Sequence, residues 1–172
     1  MIFGLVAGFF AASMTMSQTL PPLTTVPSVD LDRYTGEWFE IARYPNRFEN
    51  DCDSDVTAVY TLRSDGKIQV VNSCRKANGV PKESGGPAKV VESKTNAKLK
   101  VTFFWPFSGD YWIVDLDPDY RYAVVSEPKR KYLWILSRTP QMDPAQYQQV
   151  LSRIRQLGFD PSRLIMTKQA TH

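Results

Sequence analysis

Few residues in this chain have the chemistry of a catalyst. The single histidine, His172, is the last residue, so no Ser-His or Cys-His arrangement for nucleophilic catalysis can be built around it with confidence in its geometry. No set of His and Cys has the spacing of a metal site, and no glycine-rich phosphate-binding loop joins a strand to a helix. We therefore expect neither enzyme activity nor a metal or cofactor.

Two cysteines, Cys52 and Cys74, are the remaining reactive groups. In an exported protein an even number of cysteines favours a disulfide. A predicted hairpin places Cys74 opposite Val56, which is about 13 Å along an extended strand from Cys52, so the intervening loop must fold back for the bond to form. The alternative is a free, reactive thiol that serves an enzyme.

Short runs rich in aromatic and β-branched residues, separated by turn signals, follow one another from Trp38 onward. Ser64-Asp65-Gly66 has the form of a three-residue hairpin loop and pairs Tyr60 with Val70. Eight strands with short connections predict an all-β fold, an antiparallel up-and-down barrel. The predicted strands are Trp38–Arg43, Asp55–Leu62, Lys67–Cys74, Ala88–Glu92, Lys98–Phe104, Tyr111–Leu116, Tyr122–Ser126 and Tyr132–Ser137.

Glycine, proline and basic residues mark the predicted loops. Gly79-Val80-Pro81 and Gly85-Gly86-Pro87 indicate loops before a weak fourth strand. Lys129-Arg130-Lys131 lies between two apolar runs and predicts a solvated hairpin turn; the alternative is a patch that meets an anionic head group or a membrane surface. Elsewhere basic and acidic residues alternate and the net charge is only +3, so we expect no nucleic-acid partner.

One C-terminal helix is predicted outside the barrel. Asp143 can cap it, Pro144 suits its first position and Gly158 can end it. Its apolar stripe is expected to cover the outer wall of the barrel, and Leu164–Thr167 can add a last short strand. The residues with helical periodicity are Tyr147, Val150, Leu151, Ile154 and Leu157.

The first 29 residues differ in composition from the rest. Residues 1–16 contain the apolar run Ile2–Ala12, which is too short to span a bilayer and is typical of a signal peptide cleaved near Ala11-Ala12-Ser13. The alternative is a hydrophobic N-terminus that packs on the domain. Residues 17–29, rich in Pro and Thr, predict an extended hydrated linker, and residues 30–172 the barrel domain.

Three motifs resemble those of the lipocalin family. Gly36-Glu37-Trp38 opens the first strand, Asp119-Tyr120 lies between the sixth and seventh strands, and Arg138 follows the eighth. Each motif alone is weak, but all three in order on an eight-strand-plus-helix pattern are a strong resemblance. It extends from about Val29 to Thr167 and is greatest to bacterial outer-membrane lipocalins and apolipoprotein D.

This resemblance implies a barrel open at one end that binds long-chain fatty acids or lysophospholipids. It also implies an exported protein in the periplasm or at the outer membrane. Bacterial members commonly carry a lipidated N-terminal Cys, and no such Cys follows the apolar run here, so we expect a form without a lipid anchor. Peripheral contact with a membrane, and either a monomer or a homodimer, fit this interpretation.

The family pattern also implies roles for individual residues. The Arg of the third motif stacks on the Trp of the first at the closed end of the barrel, so Trp38 and Arg138 are expected to be structural. Glu40 shares its strand parity with Trp38 and is expected to be a buried carboxylate near the closed end, with no partner assigned.

The predicted ligand-binding residues face the barrel interior. Tyr132 and Trp134 do so because side chains alternate along the strand, and both share the parity of Arg138, which is expected at the closed end. Similarity to apolipoprotein D suggests the same for Tyr60 and Asn72. Inner-face positions are also favoured for Phe103 and Tyr111. The full set is Tyr60, Asn72, Phe103, Tyr111, Tyr132 and Trp134.

Three functions stay open at this stage. A lipid carrier is the favoured one, an enzyme that uses a cysteine thiol is the second, and a structural envelope protein with a filled barrel is the third. Strands such as Tyr132–Leu136 are apolar on both faces, which an outer helix explains on one side only. An eight-stranded barrel is wide enough for either a packed core or a small cavity, and periodicity does not distinguish them.

Overall fold

The computed structural model describes residues 20–104 and 107–170, apart from the side chains at positions 103, 104 and 107. Each strand pairs antiparallel with the next, and β8 returns to β1, which closes an eight-stranded barrel as predicted. A ninth strand pairs with the end of β1. The elements are α1 Leu31–Tyr34, β1 Gly36–Arg43, β2 Ser54–Leu62, β3 Ile68–Arg75, β4 Pro81–Glu92, β5 Lys98–Phe104, β6 Phe107–Leu116, β7 Tyr122–Ser126, β8 Leu133–Ser137, α2 Pro144–Gln156 and β9 Ile165–Met166.

Helix α2 packs on the outer wall, as the apolar periodicity indicates. The Asp143 carboxylate accepts hydrogen bonds from the backbone N–H groups of Ala145 and Gln146, both at 3.0 Å, which caps the helix. Val150 and Ile154 are fully buried in a cluster formed by α2 and the outward side chains of the barrel. The predicted helix and its position are therefore confirmed.

The packing explains why β8 is apolar on both faces. Leu133 and Ile135 point outward into the cluster under α2. Trp134 and Leu136 belong instead to the cluster inside the barrel. One strand thus contributes to two separate apolar layers, as in a sheet covered on both sides.

The prediction for β4 was wrong at its start. The strand begins at Pro81, and Gly85 and Gly86, interpreted as loop residues, lie within it. A Cβ on Gly85 would lie 2.1 Å from the Val70 carbonyl oxygen, and one on Gly86 would lie 2.0 Å from that of Thr102. In this strand the two glycines therefore do not mark a loop. They allow the neighbouring backbones to approach closely.

Two other elements differ from the sequence prediction by more than two residues or were not predicted at all. Strand β6 begins at Phe107, four residues before the predicted Tyr111, because its hairpin with β5 continues further. Helix α1 was not predicted, since a single turn is too short to show periodicity. Asp30 caps it by accepting from the N–H groups of Asp32 and Arg33 at 3.0 and 3.2 Å.

The described part of the predicted linker, residues 20–29, forms no helix or strand and docks on the barrel. The Val26 and Val29 N–H groups donate to Ile113 and Thr95 carbonyl oxygens at 3.0 and 2.7 Å. Val29 is only 1% exposed. This segment is therefore not the fully hydrated linker that its composition suggested. The predicted leader, residues 1–16, lies outside the described residues.

Candidate functional site

A cavity occupies one half of the barrel and opens at that end, which we call the open end; the opposite end is the closed end. The space that the centre of a water molecule can occupy has a volume of about 110 Å³, and the total empty space of about 870 Å³ includes open solvent at the mouth. The loops at 44–53, 76–80 and 127–132 surround the open end. The wall is largely apolar and aromatic, and of the six residues predicted to bind ligand it includes Tyr60, Asn72, Tyr111 and Trp134.

The two other predicted ligand residues are placed differently. Tyr132 precedes β8 and packs against the rings of Phe48 and Trp134, with ring centroids 5.5 and 5.8 Å apart. Both of those rings border the cavity, so Tyr132 supports the wall. Phe103 lies on β5, and its side chain is outside the described part. Ligand contact by any of the six stays a prediction.

The closed end is built around Trp38 and Arg138. The guanidinium carbon of Arg138 lies 3.8 Å from the centroid of the fully buried Trp38 ring, a cation–π contact. The same guanidinium donates to the backbone carbonyls of Arg33 at 2.6 Å and Glu37 at 2.8 Å. Gly36 has φ +94°, and a Cβ there would lie 3.2 Å from Arg138 Nη1, so the first motif needs glycine for two reasons.

The second motif forms the loop between β6 and β7. Tyr120 adopts φ 61°, and its hydroxyl accepts a hydrogen bond from the Asp30 N–H at 2.8 Å. Asp117 organises this loop, because its carboxylate accepts from the Asp119 N–H at 3.0 Å and from Arg121. Sequence reasoning chose Asp119 for the motif and did not assign this role to Asp117.

Three tyrosine hydroxyls meet deep in the barrel. The hydroxyls of Tyr34 and Tyr111 are 2.7 Å apart, and those of Tyr111 and Tyr60 are 2.9 Å apart. Burial raises the pKa of Tyr60 to about 12 and the pKa values of Tyr34 and Tyr111 well above their usual range. All three are therefore neutral phenols at physiological pH. Tyr34 was missed from the sequence because it lies on α1, outside every predicted strand.

A carboxyl cluster borders the cavity above the tyrosines. Trp134 Nε1 donates to Glu49 Oε1 at 2.9 Å, and Arg43 Nε lies 2.7 Å from Glu49 Oε2 and 3.3 Å from Glu40 Oε1. The Thr167 hydroxyl also donates to Glu40. Burial, and next the negative charge of Glu49, hold the pKa of Glu40 well above its usual range.

Glu40 is buried as predicted, but it lies in the cavity wall above the closed end. A bulge in β1 between Glu40 and Ala42 is the reason that Arg43 reaches the same cluster. Without the bulge, Glu40 and Arg43 would point to opposite faces of the strand. No sequence signal identified this irregularity.

The cysteine pair forms a disulfide, with a Cα–Cα distance of 5.6 Å between Cys52 and Cys74. The required fold-back occurs at the start of β2, where the register shifts between Ser54 and Thr57 and Asp55 adopts φ 54°. The described residues contain both cysteines of the chain and no free thiol. The free thiol that the thiol-enzyme interpretation requires is therefore tied up in this disulfide.

Other kinds of site have no support in the described ranges. Among residues 20–104 and 107–170, no three His, Cys, Asp or Glu side chains are grouped as metal ligands. The helices in that part of the chain are too short or too polar to cross a bilayer. The sequence Lys129-Arg130-Lys131 forms the predicted turn, in which Glu127 accepts from the Lys129 and Lys131 N–H groups.

The closed antiparallel barrel, its outer helix and the one-ended apolar cavity define a small-molecule-binding β-barrel. A family model described as a lipocalin-like domain matches residues 29–169. The chain belongs to the lipocalin family, whose members are generally binding proteins for small hydrophobic ligands.

Individual relatives agree with this assignment. The outer membrane lipoprotein Blc of Escherichia coli (strain K12) is 42% identical over 170 residues, 96% of each chain. Apolipoprotein D of Bos taurus is 31% identical over 151 residues, which cover 80% of this chain and 77% of that protein. The structure of insecticyanin from Manduca sexta superposes with a TM-score of 0.72 at 24% identity, covering 88% of this chain and 87% of that one, and supports the fold alone.

Proposed function

We propose that this protein binds and releases a single-chain lipid, either a long-chain fatty acid or a lysophospholipid, in the cell envelope, and catalyses no reaction on it. The observation that carries the proposal is the distribution of polarity in the cavity wall. Val70, Val101, Val125 and Leu136 supply apolar wall inside the barrel. Lys82, near the start of β4, and the Glu49 loop supply charged groups towards the open end.

This arrangement fits an amphiphile whose hydrocarbon lies inside and whose polar end lies at the mouth. Burying each CH₂ contributes about 0.8 kcal/mol, so a chain of about 15 carbons gives a gross free energy of roughly 12 kcal/mol. Association and ordering costs remove much of this, and we expect a Kd of about 1 μM or somewhat lower. Because most of the binding energy comes from the chain, affinity should depend more strongly on chain length than on head group.

The envelope location rests on a relative and on the N-terminal sequence. The bacterial relative with 42% identity is named as an outer membrane lipoprotein. We propose that residues 1–16 act as an export signal and that the mature chain carries no acyl group. The intact mass of protein isolated from its host measures both points.

Lipid analysis of natively purified protein tests the function. Protein extracted without detergent should release a fatty acid or lysophospholipid in near-stoichiometric amount, as identified by mass spectrometry. Delipidated protein should then bind the same lipid again, with a change in tryptophan fluorescence. If no lipid co-purifies and none binds below about 1 mM, the carrier proposal fails, since that affinity is near −4 kcal/mol and well short of the chain burial above.

A further inference from the structure

The three tyrosine hydroxyls at the inner end of the cavity have one more proton than they can use among themselves. Their hydrogen bonds form a chain in which Tyr111 lies between Tyr34 and Tyr60. Three hydroxyls carry three protons, and two O···O contacts use two of them. Whichever way the chain is oriented, one phenolic proton has no acceptor within it.

The surroundings make this unused donor costly. Tyr34 and Tyr60 are 2% and 4% exposed, so solvent has little access to them except from the cavity. Burial raises the pKa values of all three phenols, so each keeps its proton. A buried donor without an acceptor is unfavourable, and an acceptor that reaches it is favoured over a methyl group.

The donor faces the ligand space. Tyr60 and Tyr111 both border the cavity, whereas Tyr34 lies behind them and packs on Trp38 with ring centroids 5.1 Å apart. In two of the three possible orientations of the chain, the unused proton belongs to Tyr60 or Tyr111. An oxygen acceptor on a ligand can therefore reach it from the cavity.

A neutral acceptor fits better than a carboxylate. The charged side chains that border the cavity in the described residues are Glu40, Glu49 and Lys82, all above the tyrosines. Arg138 lies beyond Trp38, and its guanidinium is already engaged with backbone carbonyls. A carboxylate at the inner end would be buried with only this shielded and already engaged cation nearby, which is unfavourable.

We propose that the Tyr34–Tyr111–Tyr60 hydroxyl chain is a hydrogen-bond donor site for the ligand. It selects a lipid that carries a neutral oxygen acceptor, such as a keto group, near the end of the chain that lies deepest in the barrel. This inference rests on the proposed lipid-binding function and narrows its ligand class from plain chains to chains oxygenated at the far end.

A matched pair of ligands tests the site. Hexadecanoic acid and the same acid with a keto oxygen on its penultimate carbon are titrated into delipidated protein, and tryptophan fluorescence and calorimetry give each Kd. The keto acid should bind more tightly to the wild-type protein. A third acid with the keto oxygen at mid-chain should bind less tightly than the plain acid, because its oxygen is desolvated without a donor.

Proton counting separates the two single variants from the double variant. Tyr60→Phe leaves one unused proton, on Tyr111 or Tyr34, and Tyr111→Phe leaves two, one of them on Tyr60. Each variant can still turn a phenolic donor towards the cavity, so each should keep a preference for the penultimate keto acid. The double variant Y60F/Y111F leaves only Tyr34 behind the wall, and its preference should fall by about tenfold relative to the wild type. Tyr122→Phe is the control: it removes a tyrosine hydroxyl that donates to Asp115 on the outer side of the barrel. This variant should leave the preference for the penultimate keto acid unchanged.

The outcomes separate the two proposals. If no acid binds, the lipid-binding function itself fails. If all acids bind but the double variant weakens them equally, or the wild type shows no preference, the donor site is wrong and lipid binding stands. If the double variant does not fold, the comparison of penultimate and mid-chain keto acids on the wild type decides, and equal affinity for these two overturns the inference.

Discussion

Replacing Arg138 with alanine removes the side chain that closes the barrel beneath Trp38. The substitution removes the cation–π contact at 3.8 Å and the hydrogen bonds to the Arg33 and Glu37 carbonyls at 2.6 and 2.8 Å. These bonds connect β8, α1 and β1. We expect a large loss of stability and no direct effect on the ligand, because Arg138 does not border the cavity.

The size of the effect follows from these contacts. A hydrogen bond from a charged donor contributes about 1.5–3 kcal/mol, and a cation–π contact about 0.5–2 kcal/mol. The terms are not additive, and a single substitution rarely costs more than about 4–5 kcal/mol. We therefore expect Arg138→Ala to lower the free energy of unfolding by about 3–4 kcal/mol and Tm by roughly 10 °C.

Urea and thermal unfolding followed by circular dichroism measure this change. Arg63→Ala is the matched control: Arg63 is also near the closed end but pairs with Asp65 in an exposed ion pair at 3.1 Å, so its loss should hardly change Tm. Lipid Kd is measured at a temperature where both variants are folded. An Arg138→Ala protein with unchanged Tm, or with reduced affinity at unchanged stability, would refute the structural assignment.

Four further predictions concern the cavity, the disulfide and export. Replacing Cys52 and Cys74 by serine should lower the free energy of unfolding by about 3 kcal/mol, measured by urea titration, with a smaller effect on lipid Kd; mass spectrometry that finds two alkylatable thiols in the native protein contradicts this. Trp134→Phe should remove most of the ligand-induced fluorescence change while calorimetry still detects binding, and a full signal from the remaining tryptophans argues against its role. The raised pKa of Glu40 means that the folded state holds a proton more tightly than the unfolded state, so stability falls as pH rises from about 4.5 towards that pKa. In urea titrations at several pH values, Glu40→Gln should reduce this decrease in the free energy of unfolding with pH. An unchanged pH dependence would reject the role of Glu40. The mature chain should begin after Ala12 without an acyl group, and an intact mass that retains Met1 overturns the export proposal.

The barrel and its helix were predictable because they depend on local rules. Alternating side chains, turn residues and helical periodicity gave the eight strands in order, and Asp143 gave the start of α2. The Trp38–Arg138 pair was available from motif order, and the structure shows the same contact. These features need only short-range patterns or a repeated family signature.

Features that depend on backbone irregularity were not predictable. The bulge in β1 brings Glu40 and Arg43 to one face, and the shift at Ser54–Thr57 lets Cys52 reach Cys74. A one-residue change in register reverses every side chain that follows it, and no composition rule marks where it happens. Gly85 was misinterpreted for the same reason, since its meaning depends on how close the neighbouring strand lies.

The sequence by itself determined a closed lipocalin barrel with a structural Trp–Arg pair and inward positions for Tyr60, Asn72 and Trp134. The tertiary structure decided that the interior is an open cavity, because packing volume is a property of all strands together. It also decided that Tyr34, Tyr60 and Tyr111 share hydroxyl hydrogen bonds, since α1, β2 and β6 supply them from distant parts of the chain. Side-chain identity sets what each residue can donate, and only the closure of the barrel sets which residues meet.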